Sequence, residues 1–458
     1  MARKRTVHRC TGCGTGSPTW VGRCPGCDEW GTLVEELDGP PGGDGASALA
    51  LLGPSDRPLP IAEIDAGEFH ARPTGVGELD RVLGGGLVPG SVTLVGGEPG
   101  IGKSTLLTQV ASSVAAAGAR VLYVSGEESR QQVRLRAERL GALAPRLWLA
   151  AETAVPHIVA HLDEVRPNLL VVDSVQTLVD PELGSAPGSV GQVRACAHRL
   201  VAEAKARSLA VVLVGHVTKD GALAGPRVLE HVVDTVLGFE GDRHHALRLL
   251  RATKHRFGGT GELGLFEMTD TGLAGVPDAS GMFLVDRRPG VAGSVVVPTL
   301  EGNRPLLVEV QALVAPSTLV QPRRSAQGLD AGRLSMLLAV LDKVVKLEVG
   351  KADVFALAVG GARVTEPAAD LGIVVAVASS FAARPVAADI VAVGEVGLGG
   401  ELRQVAGSAR RLAEAARLGF RRAIVPTSAP DPPAGVTALR AATVADALAL
   451  AGVRDRAG

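Results

Sequence analysis

The stretch Gly97-Glu98-Pro99-Gly100-Ile101-Gly102-Lys103-Ser104 decides the fold, because it matches the whole pattern G-x-x-x-x-G-K-[ST]. An apolar strand is predicted just before it, over residues 91–95, and a helix begins at its last residue. Glycines let backbone N–H groups turn toward an oligophosphate, and the start of the helix adds positive charge. A glycine turn with an incidental lysine is the alternative, but the order strand, loop, helix disfavours it.

Two side chains of this stretch have distinct chemical roles. Lys103 can reach the β- and γ-phosphates of a nucleotide, and the Ser104 hydroxyl can bind Mg²⁺. The sequence therefore predicts ATP and Mg²⁺ as ligands. The predicted ATP-binding residues are Gly97, Glu98, Pro99, Gly100, Ile101, Gly102, Lys103, Ser104 and Thr105.

Outward from this loop, short apolar runs alternate with segments of helical spacing. Such runs are typical of parallel strands that are buried on both faces, and repeated strand–helix units predict a doubly wound α/β sheet. The predicted strands cover residues 92–95, 121–124, 169–172 and 209–214, and the predicted helices residues 104–117, 129–140 and 192–207. This P-loop ATPase core is expected over residues 61–283.

Beyond Asp286 the pattern changes, and residues 284–458 are predicted to form a separate α/β or α+β domain. Its apolar runs are read mainly as strands, with helices such as residues 406–418 between them. The runs cover residues 295–297, 306–310, 354–359 and 373–378.

Acidic residues stand at the ends of two predicted strands, where α/β sheets bind their ligands. Asp173 ends one strand and can hold Mg²⁺ through its water shell, but the next residue is Ser174 and not a glutamate. Glu127 and Glu128 end another strand, so one of them can orient the attacking water. Glu127 is favoured, although which of the pair acts stays open, and an acidic helix cap is the alternative.

His216 follows the strand predicted over residues 209–214. A polar side chain at this place can hydrogen-bond the γ-phosphate and report its presence to the following loop. A single histidine is more often just a satisfied polar group, but the position of His216 after Asp173 favours the sensor role.

Four of the five cysteines form two C-x-x-C pairs within residues 1–36, and four thiolates in this arrangement suit structural Zn²⁺. A redox dithiol is the alternative. Trp20 and Trp30 are expected to form the core of this small module, with stacking on bases as the other reading. The predicted zinc ligands are Cys10, Cys13, Cys24 and Cys27.

Length and charge set the remaining limits. The 458 residues suit about three domains, with a flexible Gly/Pro-rich linker over residues 37–60. Lys+Arg 47 against Asp+Glu 48 leaves a net charge of −1, which disfavours coating nucleic acid by bulk charge. No apolar run approaches the roughly 18 residues of a membrane span, and no signal peptide is recognised, so a cytoplasmic protein without membrane contact is expected.

A four-cysteine module, the P-loop core, the motif Lys254-His255-Arg256-Phe257-Gly258 and the C-terminal unit follow one another along the chain. This order resembles the RadA (Sms) family of bacterial DNA-repair proteins, and His255 stands where the family has Asn. The resemblance implies a zinc finger, a RecA-like ATPase and a Lon-protease-like domain. It also implies a hexameric, DNA-dependent ATPase that drives branch migration at recombination intermediates with the RecA recombinase.

The same resemblance assigns further residues. Lys254 and Arg256 would reach the nucleotide of a neighbouring subunit, where a cation supplied in trans stabilises phosphoryl transfer. Without the resemblance they would be taken for solvated charges after a strand over residues 246–252. Lys219 and Arg227 would contact single-stranded and branched DNA from loops that line a ring, although a lone loop cation is usually just exposed.

The Lon-like family is expected to carry a serine–lysine dyad, and this chain lacks both members. The serine position corresponds to Ala368, and no lysine occurs after Lys351. Arginine cannot replace the base because its pKa stays above about 12. A protease is therefore not expected. An ATP-dependent DNA-binding switch that recruits recombination partners without moving strands is the alternative to a motor.

Overall fold

A computed structural model describes residues 6–10, 15–37, 60–63, 69–216, 229–241 and 247–454. The chain divides into two compact units, Met1–Ala66 and Gly67–Gly458. The first contains an antiparallel sheet of three short strands in the order β2-β1-β3. These strands are β1 (Thr6–Cys10), β2 (Gly16–Ser17) and β3 (Leu33–Leu37).

Among the described residues of this first unit, the buried core contains cysteines and a leucine but no tryptophan. Cys10, Cys24 and Leu33 are buried together, whereas Trp20 is 60% and Trp30 76% exposed. The interpretation of both tryptophans as core residues is wrong, because the converging sulfur side chains fill the small centre of the module instead.

In the second unit, the described strands between residues 92 and 275 form one nine-stranded sheet in the order β12-β11-β10-β9-β4-β8-β7-β5-β6. The strands are β4 (Val92–Gly97), β5 (Val121–Ser125), β6 (Leu147–Ala151), β7 (Leu169–Asp173), β8 (Ala210–His216), β9 (Thr235–Gly241), β10 (Leu247–His255), β11 (Leu263–Thr269) and β12 (Gly272–Gly275). From β6 to β9 the sheet is parallel, and β10 to β12 extend it as an antiparallel meander. The expected strand over residues 246–252 lies within β10 apart from its first residue, whereas the apolar pattern predicts neither β11 nor β12.

Helices cover both faces of this sheet, which explains why its central strands are apolar throughout. Two separate apolar clusters lie on the two faces: one includes Leu106 and Val110, the other Ile158 and Leu200. The described helices between residues 77 and 284 are α1 (Gly77–Val82), α2 (Lys103–Ala116), α3 (Arg130–Arg139), α4 (Val155–Val165), α5 (Val190–Ala206) and α6 (Ala279–Leu284). The last of these packs against the strand Arg304–Pro316 of the C-terminal region.

A second sheet, of seven described strands, follows in the order β15-β16-β14-β13-β17-β20-β21, with the small pair β18-β19 beside it. Its strands are β13 (Ser294–Glu301), β14 (Arg304–Pro316), β15 (Arg324–Gln327), β16 (Ala352–Ala358), β17 (Ile390–Ala392), β18 (Glu395–Val396), β19 (Leu402–Arg403), β20 (Arg422–Pro426) and β21 (Thr437–Ala441). Its helices are α7 (Ala331–Lys343), α8 (Asp370–Ala382), α9 (Ser408–Arg417) and α10 (Val444–Leu450).

One predicted strand of this region is wrong, since residues 373–378 lie inside α8. The helix is buried on nearly all sides, so its sequence is apolar without a helical period. A continuous apolar run of this kind does not distinguish a buried strand from a buried helix.

A buried ion pair joins the hairpin between β13 and β14 to the ATPase core. The Arg304 guanidinium pairs with the Glu78 carboxylate of α1, and both side chains are almost fully buried. Arg304 Nη2 also donates to the carbonyl oxygens of Val276 and Pro277 at 2.8 and 2.9 Å. Because both charged groups also have hydrogen-bond partners, the pair fixes the second sheet against the core instead of leaving a charge unsatisfied.

Candidate active site

The site lies where the carboxyl ends of β4, β8, β7 and β5 meet, since these strands are neighbours in the parallel sheet. Gly97 of β4 pairs in register with His216 of β8, and Asp173 of β7 pairs with Ser125 of β5. Parallel strands place their carboxyl ends at one edge of a sheet, so residues far apart in sequence converge here.

The glycine-rich loop runs from the end of β4 to the start of α2. Gly102, which precedes the helix, has φ 115° and lies so close to β11 that an added Cβ would meet Met268 Cε at 2.8 Å. Glycine is favoured here because other residues rarely adopt this φ, and an added side chain would also displace the end of Met268. The backbone therefore turns tightly, as phosphate binding requires.

Lys103 is buried at the first position of α2, and its ammonium bonds back onto the loop. Its Nζ donates to the carbonyl oxygens of Gly97 at 2.8 Å and Glu98 at 2.9 Å. Burial lowers the pKa of Lys103, while the negative charges of Asp173 and Glu127 act in the opposite direction. The lysine thus lies within the electrostatic influence of both carboxylates.

Glu127 is held by two side chains from other strands. Ser174 Oγ donates to Glu127 Oε1 at 2.5 Å, and His216 Nε2 lies 3.0 Å from the same oxygen. Burial would raise the pKa of Glu127, but the hydrogen bonds from Ser174 and His216 and the charge of Lys103 lower it overall. The carboxylate is therefore kept ionised, as a group that orients water needs to be.

Glu128 points elsewhere. Its Oε2 lies 2.5 Å from Arg136 Nη1 in α3, and its backbone N–H bonds to Ser125 Oγ at 3.0 Å. The structure therefore brings Glu127 to Lys103, Asp173 and His216, and ties Glu128 to a neighbouring helix.

Asp173 has a buried partner that the sequence pattern did not single out. Tyr123 OH donates to Asp173 Oδ2 at 2.7 Å, and the tyrosine side chain is 1% exposed. Burial and the negative charge of Asp173 raise the pKa of Tyr123 well above its ordinary value. The contact fixes the orientation of the carboxylate. A hydroxyl at Ser104 and a carboxylate at Asp173 are oxygen donors of the kind that Mg²⁺ prefers.

Sequence reasoning missed Tyr123, Ser174 and Arg248. The strand that carries Tyr123 is buried on both faces, so no periodicity marked its hydroxyl as functional. Arg248 of β10 is buried, and its Nε donates to Ile101 O in the glycine-rich loop at 3.2 Å. Tyr123 and Arg248 are both buried in their strands, and only tertiary contact identifies them as residues that support the site.

Three of the predicted zinc ligands converge in the first unit. The sulfur atoms of Cys10, Cys24 and Cys27 lie within 4.8 Å of one another. Gly26 N–H points to Cys24 Sγ at 3.3 Å, a contact that stabilises a thiolate. Clustered thiolates of this kind are the donors that Zn²⁺ takes in structural sites, so the residues fit the metal. Cys13 lies outside the described residues.

Comparison with known proteins agrees with each part of this arrangement. Family models match residues 8–35 (rubredoxin metal binding domain), 57–222 (AAA domain) and 351–429 (subunit ChlI of Mg-chelatase). A DNA repair protein RadA from Bacillus subtilis is 46% identical over 98% of this chain and 99% of its own length. One from Mycobacterium tuberculosis is 49% identical over 98% and 93%.

The chain belongs to the RadA family of DNA repair proteins. The solved structure of a KaiC-like protein from Pyrococcus horikoshii also aligns, with 17% sequence identity and a TM-score of 0.39. The alignment covers 46% of this chain and 100% of that protein. The predicted fold class, an ATPase core with a zinc module before it and a Lon-like domain after it, is confirmed by the family models. As in an AAA-type P-loop ATPase, the core binds and hydrolyses ATP. Among the described residues, no helix has the length and apolar character that crossing a bilayer requires.

In this RadA family member, Lys254 and Arg256 lie near the amino-terminal ends of the parallel strands, whereas the P-loop lies at their carboxyl ends. Lys254 belongs to β10, which extends three residues beyond the strand expected over residues 246–252, and Arg256 follows its end. The Nζ of Lys254 donates to the carbonyl oxygens of Glu230 and Val233 at 2.5 and 2.8 Å. Arg256 Nη1 pairs with Asp234 Oδ1 at 3.0 Å. Both cations therefore have partners in their own chain and are not plain solvated charges.

The position of Arg256 follows from strand register. Its neighbour His255 pairs with Thr235, which pairs with Thr93 near the start of β4. Four residues separate Thr93 from Gly97, and at about 3.3 Å per residue this is roughly 13 Å of strand. The structure therefore does not bring Arg256 to the glycine-rich loop of its own chain.

The region of the expected dyad contains a buried ion pair instead. Ala368 is buried, as is Arg411, whose side chain is 2% exposed. The Arg411 guanidinium binds both oxygens of Glu366, at 2.5 and 2.6 Å. The arginine is thus fully engaged as a structural cation. Lys219 and Arg227, the predicted DNA contacts, lie outside the described residues.

Proposed function

We propose that the chain is a DNA-stimulated ATPase that acts on recombination intermediates and drives branch migration together with the RecA recombinase. The observation that carries this proposal is the convergence of Lys103, Glu127, Asp173 and His216 at one edge of the core sheet. Membership in a family whose curated members are named DNA repair proteins supports the DNA part.

Each residue of the cluster has a proposed role. Lys103 turns from the loop carbonyls toward the β- and γ-phosphates, and Ser104 and Asp173 hold Mg²⁺. The metal supplies charge neutralisation at the phosphate oxygens. Glu127 orients the attacking water with Oε2, since Oε1 already accepts from Ser174.

His216 connects this chemistry with the segment after β8. Its Nε2 lies against Glu127 while the chain leads directly into residues 217–228, which contain Lys219 and Arg227. We propose that His216 reports the γ-phosphate to this loop, and that the loop cations contact single-stranded or branched DNA. The affinity for DNA would then depend on whether ATP or ADP is bound.

A ring of identical subunits, with six as the proposed number, completes the site. Strand register and the rise per residue place Arg256 about 13 Å from its own glycine-rich loop, measured along the strands. A role at the nucleotide therefore requires a neighbouring subunit, where Lys254 and Arg256 would stabilise charge in trans. Hydrolysis would then depend on assembly.

The remaining proposals concern organisation. We assign residues 1–36 to the zinc module, 37–60 to a linker, 61–283 to the ATPase and 284–458 to a Lon-like domain without proteolytic activity. Support for the last point comes from Ala368 and from Arg411, whose guanidinium is bound to Glu366. Action on DNA in a bacterial cell places the protein in the cytoplasm.

Steady-state ATPase assays with and without single-stranded oligonucleotide test the proposal. We expect turnover to rise with DNA and to vanish in Lys103→Ala. Lys343→Ala, which removes an exposed lysine from α7, is the matched control and should behave as wild type. Turnover that is indifferent to DNA would contradict the proposal. A branched-substrate assay separates a motor from a switch, since only a motor moves strands.

A further inference from the structure

A cleft of about 420 Å³ opens at the outer edge of the core sheet, far from the glycine-rich loop. It is bounded by β6, the edge strand, and by α4, and β6 stands four strands away from β4. At about 4.8 Å between strands, this is roughly 19 Å. The volume lies within the range of about 300–1,000 Å³ that is typical of small-ligand sites.

The cleft contains two arginines without partners. Arg120 and Arg130 both line it, and both side chains are exposed. Neither guanidinium forms an ion pair or a side-chain hydrogen bond with any residue in the described parts of the chain. Other surface arginines in the described residues do have partners, as Arg207 has in Glu203 and Asp163. Unpaired guanidinium groups in a concave place are available for an anion.

An aromatic wall lies beside these charges. Trp148 of β6 lines the cleft and is 39% exposed, so part of its indole faces the opening. His161 of α4 adds an imidazole ring to the lining. The only carboxylate in the lining is Glu164, 80% exposed, with Oε2 3.9 Å from His161 Nδ1. The lining is therefore cationic and aromatic.

We propose that this cleft binds a nucleotide unit of single-stranded nucleic acid, with the base against Trp148 and the phosphates on Arg120 and Arg130. Single-strand binding sites combine cations that follow the backbone with aromatic side chains on which bases stack. A carboxylate-rich peptide would satisfy the arginines but would leave the indole unused. The inference rests on the proposed action on DNA and adds a contact outside the segment of residues 217–228 that contains Lys219 and Arg227.

The test measures binding of a fluorescent oligothymidylate to the full-length chain by anisotropy at several salt concentrations. Arg120→Ala and Arg130→Ala should each reduce the salt slope by about 0.7, the value for one lost phosphate contact on a single strand. Trp148→Ala should weaken binding at least fivefold, since stacking of one base is worth roughly 5- to 150-fold. Trp148→Phe keeps an aromatic face and should lose less.

Arg139→Ala is the matched control, since it removes an exposed arginine of α3 that does not line the cleft. We expect the ATPase activity without DNA and the thermal unfolding midpoint to be unchanged in the arginine variants. This result would show that the variants fold. The arginine variants also keep the test valid if Trp148→Ala destabilises the edge strand.

Several results overturn the inference. If the wild type binds DNA and all cleft variants bind it with the same affinity and salt slope, the cleft is not a DNA-binding site, and the proposed function is unaffected. No binding of DNA by the wild type refutes both. Saturable binding of dTMP that depends on Arg120, with oligothymidylate unaffected, assigns the cleft to a free nucleotide. Binding of a polyglutamate peptide that depends on Arg120 and Arg130 but not on Trp148, without any effect of these variants on DNA binding, assigns the cleft to an acidic partner.

Discussion

Replacement of Tyr123 by phenylalanine tests how the active site is held in shape. The change keeps the ring in the core and removes only the hydroxyl that donates to Asp173 at 2.7 Å. A hydrogen bond to a charged group contributes about 1.5–3 kcal/mol, and Tyr123 is nearly inaccessible to water. We expect the free energy of unfolding to fall by about this amount, because water cannot replace the lost donor.

Catalysis should fall as well, because Asp173 loses the contact that orients it. If the transition state loses the full 1.5–3 kcal/mol of stabilisation, kcat/KM falls by roughly 10- to 150-fold, which is an upper bound. The assay is DNA-stimulated ATPase activity as a function of Mg²⁺ concentration. A shift toward higher Mg²⁺ requirement is expected, since the carboxylate is a proposed ligand.

A double-mutant cycle isolates the contact. Asp173→Asn and Tyr123→Phe are measured singly and together by urea unfolding, and the coupling should be about 1.5–3 kcal/mol. Coupling below about 0.5 kcal/mol, or a Tyr123→Phe enzyme with wild-type Mg²⁺ dependence, would refute the reasoning.

Alkaline titration provides an independent readout, because Tyr123 is the only tyrosine of the chain. Its folded-state pKa is raised by burial and by Asp173. The resulting stabilisation is fully present below the ordinary tyrosine pKa of about 10 and is lost as the pH rises through the folded pKa. Tyrosinate absorbance should therefore appear only with unfolding; smooth ionisation of the native protein near pH 10 would contradict this.

Three further changes have expected outcomes of different kinds. Glu127→Gln should lower kcat of DNA-stimulated ATP hydrolysis by about 100-fold or more, the range for a lost general base, whereas Glu128→Gln should stay within about threefold. Cys24→Ser should reduce the zinc content, measured by atomic emission, to near zero because one thiolate of the cluster is lost. Arg304→Ala should lower the free energy of unfolding by about 3 kcal/mol, measured with urea, because the buried Glu78 carboxylate loses its buried partner and keeps Arg81 at 3.5 Å.

Matched controls accompany the last two changes. Cys196→Ala should keep the zinc, since burial raises the pKa of the Cys196 thiol to about 11 and the residue lies in the ATPase core. Arg403→Ala breaks an exposed pair with Glu401 and should cost at most about 1 kcal/mol. An equal loss of unfolding free energy in Arg304→Ala and Arg403→Ala would show that the buried pair contributes no more to stability than the exposed pair.

Local sequence predicted the elements around the glycine-rich loop because their patterns are short-range. Strands at residues 92–95 and 121–124 lie within β4 and β5, as their continuous apolar composition indicated. The same reasoning misassigned residues 373–378, where a helix buried on nearly all sides has no period to read. It also placed Trp20 and Trp30 inside a module whose centre is filled by sulfur.

The amino-acid sequence by itself determined the chemistry that depends on residue type and spacing: a phosphate loop that ends in Lys103, thiolate pairs, and a C-terminal domain without its nucleophile at Ala368. The tertiary structure decided between side chains that the sequence left equivalent. It brought Glu127 to Ser174 and His216 and turned Glu128 to Arg136. The physical reason is that the parallel sheet brings strand ends 40 to 90 residues apart into contact, and local patterns do not encode which partner is met there.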